Sequence, residues 1–130
     1  MRVFVYGTLK PGEVNFKRYC EGKVNDIIPA YTYGHLYALN VGYPAMTVGD
    51  TQVSGMLLTF SDDKILADMD DLEDYDPNRS PSENLYQREW ITLYTSSGES
   101  LGIAWGYRMA FWRVQQLGGI FLSSGCWRSR

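Results

Sequence analysis

The stretch that decides the fold runs from Arg2 to Gly12 and reads RVFVYGTLKPG. Its first five residues are almost uniformly apolar, which predicts a short buried strand. Two glycines and a proline follow, and they exclude regular structure from Gly7 onward. We therefore predict that a functional site forms around the loop Tyr6-Gly7-Thr8-Leu9, directly after the first strand.

This loop offers successive backbone amides at the end of a buried strand, and its glycine allows a ligand to approach the main chain closely. Amides in that arrangement can hold a carboxylate, a phosphate or a developing oxyanion. An ordinary tight turn is the alternative interpretation, and the loop alone does not decide between the two. No Gly-Lys-Ser/Thr follows, so the loop is not a phosphate-binding loop of the Walker type.

The rest of the chain predicts an α+β fold with a strongly curved or closed sheet. Alternation and apolar runs predict strands over 33–39, 52–60, 88–95 and 101–107, with a hairpin turn at 96–99. Residues 15–21 suit a short helix, and Gly55 indicates a bulge or a close backbone approach. At 130 residues we expect a single domain, residues 1–130, that buries its own core.

The clearest helix is predicted to begin at Ser61. A serine cap followed by two aspartates satisfies free amides and complements the positive end of the helix dipole. The side chains of Ile65, Met69 and Leu72 follow at helical spacing and form a buried stripe. The tail after Met109 is expected to be largely buried, because it carries four large aromatic residues: Phe111, Trp112, Phe121 and Trp127.

Glu73 is the second candidate for a functional residue. At 100° per residue it projects between two apolar positions of the helix, whereas four nearby acids fall outside that arc: Asp68, Asp70, Asp71 and Asp74. A carboxylate turned inward without a basic partner should have a raised pKa, which suits acid–base chemistry near neutral pH. The alternative is a helix-end glutamate that faces solvent or pairs with Arg88.

Composition and charge exclude several classes of function. The formal net charge of −3 argues against nucleic acid as a partner. No apolar run approaches the roughly 20 residues that span a bilayer, so we expect no membrane segment. The lone histidine, His35, cannot build a metal site or serve a Ser-His-Asp arrangement. The chain opens directly with a strand, so we expect a cytoplasmic protein in which Cys20 and Cys126 are reduced.

Several short motifs in a fixed order resemble the gamma-glutamylcyclotransferase-like superfamily, which includes the AIG2-like branch. The matching stretches are VFVYGTLKPGEVN (3–15), GHLY (34–37), GYPA (42–45), VSGML (53–57), MDDLE (69–73) and YQR (86–88). Each motif is weak by itself, but together they cover most of the chain in the expected order.

The resemblance implies a small mixed β-barrel with short flanking helices. It implies an enzyme that cyclises a small gamma-glutamyl compound: the α-amino group attacks the γ-carbonyl and releases 5-oxoproline and a free amine. Glu73 would be the general acid and base, and the loop that comprises Tyr6, Gly7, Thr8 and Leu9 would hold the carboxylate and the oxyanion. Tyr86 would form a wall of the pocket, and the reaction needs no metal or cofactor.

Two features depart from the family pattern. Asp74 follows Glu73 where glycine is usual, and the segment from Asp74 to Leu85 is longer than is common. Both features affect the expected substrate more than the expected position of the site. The sequence leaves the oligomeric state open, and two other functions as well: a non-catalytic domain that binds a small molecule in the same pocket, and an interaction module that uses exposed aromatic residues.

Overall fold

A computed structural model describes residues 1–129 of the chain. Within them lie six strands: β1 (Arg2–Val5), β2 (Val24–Ala38), β3 (Pro44–Phe60), β4 (Gln87–Tyr94), β5 (Ser100–Arg108) and β6 (Ile120–Phe121). The α-helices are α1 (Lys64–Leu72) and α2 (Phe111–Gln116), and short helical turns occur at Phe16–Cys20 and Pro81–Glu83. The predicted α+β class is confirmed.

The sheet is mixed and curls into a barrel-like ring. Its neighbours run in the order β3-β1-β5-β4-β2-β6, and a further pairing of β2 with β3 brings the ends of the ring together. The β1–β5 pairing is parallel, and the other pairings are antiparallel. The ring is not a fully paired barrel, because β1–β5 and β2–β4 are each joined at one registered pair, Val3 with Trp105 and Tyr31 with Tyr94.

Two long strands replace the two short ones that the sequence predicts over 33–39 and 52–60. β2 and β3 form one hairpin that pairs from Val24 and Phe60 to Ala38 and Pro44. The amino-terminal half of β2 contains exposed polar residues that hide the alternation expected of a strand. Its pairing with the more regular β3 supplies the hydrogen bonds that hold it extended.

The prediction that Ser61 caps α1 is wrong. The helix begins three residues later, at Lys64, and the Ser61 hydroxyl accepts a hydrogen bond from the Asn25 side chain at 2.7 Å instead. The Asp62 carboxylate accepts from the Lys64 amide at 2.9 Å, so an aspartate satisfies a free amide at the start of the helix.

Strand β1 lies between two apolar cores, because successive side chains of a strand point to opposite faces. Phe4 and Tyr6 belong to the core inside the ring, together with apolar side chains from β2 to β5. Val3 and Val5 belong to the core beneath α1, where they join Ile65 among the buried side chains. The end of β1 therefore lies at the junction between the ring and the helix.

Gly55 marks a close approach between strands rather than a bulge. The β1–β3 register is continuous, and a Cβ atom added at Gly55 would lie 2.2 Å from the carbonyl oxygen of Val5. The absence of a side chain therefore lets β3 pass close to the last residue of β1.

The expectation of a largely buried tail is only partly correct. Trp127 is buried, but Phe111, Trp112 and Phe121 are each about half exposed. The physical reason is the short length of α2, whose six residues bury Val114 alone.

Candidate active site

A cavity of about 140 Å³ opens where β1 ends. The structure brings all six residues that the sequence predicts for the site to its wall, namely Tyr6, Gly7, Thr8, Leu9, Glu73 and Tyr86. The remaining lining residues are Phe4, Val5, Asn15, Tyr43, Pro44, Leu72, Leu85 and Tyr107. Glu73 is thus the one residue of the wall that can carry a full charge near neutral pH.

The loop after β1 is held by hydrogen bonds from the residues that follow it. The Thr8 carbonyl accepts hydrogen bonds from the amides of Asn15 at 2.9 Å and Phe16 at 3.2 Å, and the Thr8 hydroxyl accepts from the Asn15 side chain at 2.9 Å. Within residues 1–129, the amides of Gly7, Thr8 and Leu9 donate to no protein acceptor. These three amides are thus not used in bonds to the protein, and their residues line the cavity.

Gly7 is required by packing against the protein itself. A Cβ atom at this position would lie 2.7 Å from Cγ of Pro44. The carbonyl of Pro44 in turn accepts a hydrogen bond of 2.6 Å from the Tyr86 hydroxyl. The sequence suggests that a ligand approaches Gly7 closely, but in the structure the close neighbour is Pro44. Through this contact and the bond from Tyr86, Pro44 connects the loop to the opposite wall of the cavity.

Glu73 directly follows the last residue of α1, and its amide donates to the Met69 carbonyl at 2.9 Å. The helix therefore persists far enough to turn this side chain toward the cavity, as the sequence predicts. Burial raises the pKa of the Glu73 carboxyl from an ordinary 4.5 to about 8. The alternative pairing with Arg88 is wrong, because Arg88 binds Asp70 instead.

Tyrosine phenols surround this carboxyl group. The Tyr6 hydroxyl donates to the Tyr107 carbonyl at 2.8 Å and accepts from the Met46 amide at 3.1 Å. Burial, and then the negative charge of Glu73, raise the pKa values of Tyr6 and Tyr43 above the ordinary value for a phenol. These phenols stay protonated, so they act as walls and hydrogen-bonding groups while Glu73 can exchange a proton.

The sequence analysis missed Asp70. Helical phase places it outside the inward arc, yet its carboxylate accepts hydrogen bonds from Arg88 at 2.6 Å and from the Tyr107 hydroxyl at 2.7 Å. The hairpin turn at 96–99 could have indicated that Arg88 and Tyr107 lie side by side. A symmetrical hairpin about that turn pairs Arg88 with Tyr107, as β4 and β5 do, and thus brings two donors together on one face of the sheet.

Asp74, which replaces the usual glycine, adopts a left-handed backbone with φ of 51°. An L-residue in this conformation costs about 1–2 kcal/mol. Arg79 compensates, since its guanidinium donates to the Asp74 carbonyl at 2.8 Å and to its carboxylate at 3.0 Å. Asp74 therefore keeps the turn that a glycine would make, and it holds the longer segment that follows.

We expect two substitutions of Asp74 to differ in stability. Asp74→Gly removes both the strain and a half-exposed ion pair, so the free energy of unfolding should stay within about 0.5 kcal/mol of the wild type. Asp74→Ala loses the pair and keeps the strain, so unfolding should be easier by about 1–2 kcal/mol. Urea denaturation of both variants checks this, and an alanine variant as stable as the glycine variant would contradict it.

Two further features are absent from residues 1–129. No cluster of three or more His, Cys, Asp or Glu residues there could hold a metal ion. No helix in the same residues has the length and apolar character needed to cross a membrane.

Comparison with known proteins then gives the family. The family model described as gamma-glutamyl cyclotransferase, AIG2-like, matches residues 3–129. The chain belongs to this family. A protein of Halalkalibacterium halodurans named "Putative gamma-glutamylcyclotransferase" is 39% identical over 69 residues, which are 52% of the chain and 60% of that protein. The chain thus matches less than two thirds of the length of this curated relative.

Solved structures show that the AIG2-like gamma-glutamyl cyclotransferase fold extends over the described chain. An AIG2-like protein from Mus musculus is similar with a TM-score of 0.69 and 23% identity over 94% of this chain and 85% of its own. YkqA from Bacillus subtilis is similar with a TM-score of 0.67 and 23% identity over 97% of this chain, which spans only 39% of YkqA. These similarities concern the fold alone.

Proposed function

We propose that this AIG2-like protein cyclises a gamma-glutamyl amine or gamma-glutamyl amino acid and releases 5-oxoproline. The observation that carries the proposal is the Glu73 carboxyl, whose pKa burial raises to about 8, in one cavity with the free amides of Gly7, Thr8 and Leu9. A proton acceptor and an anion cradle are the two parts that this cyclisation needs.

The reaction runs within one substrate molecule. The α-amino nitrogen attacks the γ-carbonyl carbon and forms a new C–N bond, and the carbonyl oxygen becomes an oxyanion next to the loop amides. Glu73 takes a proton from the attacking nitrogen and returns it to the departing nitrogen as the original C–N bond breaks. Since nucleophile and electrophile are already tethered, the protein mainly folds the substrate and moves a proton.

The cavity suits the glutamyl half of such a substrate. The amides of Gly7 to Leu9 would donate hydrogen bonds to its α-carboxylate or to the oxyanion. Tyr43, Tyr86 and Leu85 line the remaining space with large side chains, which would limit the access of water to a bound substrate. The length of the segment from Asp74 to Leu85 would shape the space for the amine.

The test is an assay for 5-oxoproline with a panel of gamma-glutamyl amino acids, gamma-glutamyl amines and glutathione. We expect at least one member to be turned over. Because Glu73 must be ionised to act as the base, kcat/KM should rise with pH along a limb centred near 8. Binding without any product would favour the non-catalytic alternative, and a limb near pH 4–5 would contradict the role of Glu73.

A further inference from the structure

Asp70 lies one helical turn before Glu73 and joins α1 to the sheet. One carboxylate oxygen accepts from Nη1 of Arg88 at 2.6 Å, and the other accepts from the Tyr107 hydroxyl at 2.7 Å. The side chains of Asp70 and Arg88 are each only 16% exposed. A charge this far from water is costly without its partner, so removal of either side chain leaves the other uncompensated.

Arg88 is fixed by aromatic rings as well. The centre of its guanidinium lies 4.5 Å from the ring centroid of Trp105 on β5 and 5.3 Å from that of Tyr75, which follows α1. Stacking of this kind favours one orientation of the guanidinium plane. Groups from α1, β4, β5 and the segment after α1 therefore converge on a single ion pair.

This ion pair lies next to the cavity. Residues three apart on a helix are neighbours, with Cβ atoms about 5–6 Å apart, so Asp70 adjoins Glu73. Tyr107 connects them, since this residue lines the cavity together with Glu73 while its hydroxyl donates to Asp70. The pKa of the Tyr107 phenol is raised by burial first, then by Asp70 and Glu73, and is lowered by Arg88.

The other ionisable groups near Glu73 are neutral or paired. They come from every element around the cavity and comprise four phenols (Tyr6, Tyr43, Tyr86 and Tyr107), one acid beside Glu73 (Asp74) and one further arginine (Arg108). Asp74 binds Arg79 at 3.0 Å, and Arg108 binds Glu89 at 2.8 Å. Burial is accordingly the cause that raises the pKa of Glu73, with no added contribution from a neighbouring charge.

We propose that Asp70 and Arg88 are positioning residues: a charge-balanced pair that fixes the last turn of α1 and screens Glu73 from either isolated charge. The role of this pair in catalysis rests on the proposed function. Its effect on the ionisation of Glu73 is independent of that function, because the pKa of Glu73 can be measured without turnover.

The experiment is an NMR titration of the Glu73 carboxyl carbon in the full chain labelled with ¹³C-glutamate. Asp70→Asn keeps an acceptor for Tyr107 but unpairs the positive Arg88, so the pKa of Glu73 should fall by about one pH unit. Arg88→Met unpairs the negative Asp70, so the pKa should rise by about one pH unit. The double variant has neither charge, so the pKa of Glu73 should return to within about 0.3 pH unit of the wild-type value.

Two variants serve as controls. Asp71→Asn removes one negative charge from an exposed position beside Asp70 on α1, and it should leave the pKa of Glu73 unchanged. Arg88→Lys keeps the positive charge but loses the planar stack, so the pKa should stay near that of the wild type while kcat falls and KM holds. This variant and Asp70→Asn decide the question even where Arg88→Met does not fold.

Shifts of the same sign in both single variants, or no shift in folded Asp70→Asn, would overturn the proposal. A double variant that stays shifted would also overturn it, because a purely structural defect is not cancelled by a second one. If the titrations behave as expected but the wild type forms no 5-oxoproline from any substrate, the positioning role stands and the proposed function fails.

Discussion

Glu73→Gln should abolish 5-oxoproline formation, with kcat lower by about 10²–10⁴-fold. Glutamine keeps the size and polarity of the side chain but can neither accept the proton of the attacking amine nor return it to the departing nitrogen. The loop amides of Gly7 to Leu9 remain, so substrate binding should persist and KM should change little. Steady-state kinetics on the substrate that the panel identifies measure both constants.

The same substitution should stabilise the fold above neutral pH. The folded pKa of Glu73, about 8, lies above its unfolded value near 4.5, so the native state binds the proton more tightly than the unfolded state does. The contribution of Glu73 to stability is therefore fully present below pH 4.5 and is lost as the pH rises to 8. The glutamine variant avoids this loss and should be more stable by about 2–4 kcal/mol at pH 8.

Glu83→Gln is the matched control, because Glu83 is exposed on the short helical turn that follows. It changes the same charge but should leave both kcat and the pH dependence of stability as in the wild type. Thermal unfolding from pH 4 to pH 9 compares the three proteins. If the two glutamine variants have parallel stability curves, Glu73 does not carry the buried, raised pKa.

Gly55→Ala should cause the largest loss of stability, about 2–4 kcal/mol. The new Cβ would meet the carbonyl oxygen of Val5 at 2.2 Å, and neither backbone can yield without breaking the β1–β3 ladder. Since β1 leads into the loop at Gly7, we expect ligand affinity to fall together with stability. Urea denaturation gives the free energy of unfolding, and ligand-induced shifts of Tm report the site.

Gly106→Ala provides the comparison for this variant. Its Cβ would meet the terminal Cδ1 of Ile91, a side-chain atom that can move by rotation about χ2, whereas the obstacle at Gly55 is backbone. We expect a loss below about 1.5 kcal/mol. Equal losses at the two positions would show that the backbone obstacle at Gly55 is no more costly than the side-chain obstacle at Gly106.

The residues that line the cavity are easier to predict from this sequence than the extents of the strands around it. Strand β1 and its loop follow from an apolar run that meets two glycines and a proline, and the direction of Glu73 follows from the phase of α1. These are short-range properties of the chain. The extent of β2 is different, because its irregular amino-terminal half is held extended by a partner strand that local sequence does not reveal.

Contacts between distant segments account for the remaining failures. Helical phase assigns Asp70 to the solvent side, because the phase depends on α1 alone. In the structure β4 and β5 place Arg88 and Tyr107 next to Asp70. The residue that requires a glycine at position 7 is likewise distant in sequence, because an added Cβ would meet the ring of Pro44. The glycine at position 7 predicts a close approach by a ligand, whereas in the structure the close neighbour is Pro44.

The single parallel pair of β1 and β5 has a consequence for the time course of folding. It joins Val3 to Trp105, and the nearby hydrogen bond from Tyr6 to the Tyr107 carbonyl spans 101 residues. Contacts this distant in sequence form slowly, because the intervening chain must first be ordered. The loop at Gly7 is synthesised before residue 107, so the cavity that it lines can form only after that later segment has been made.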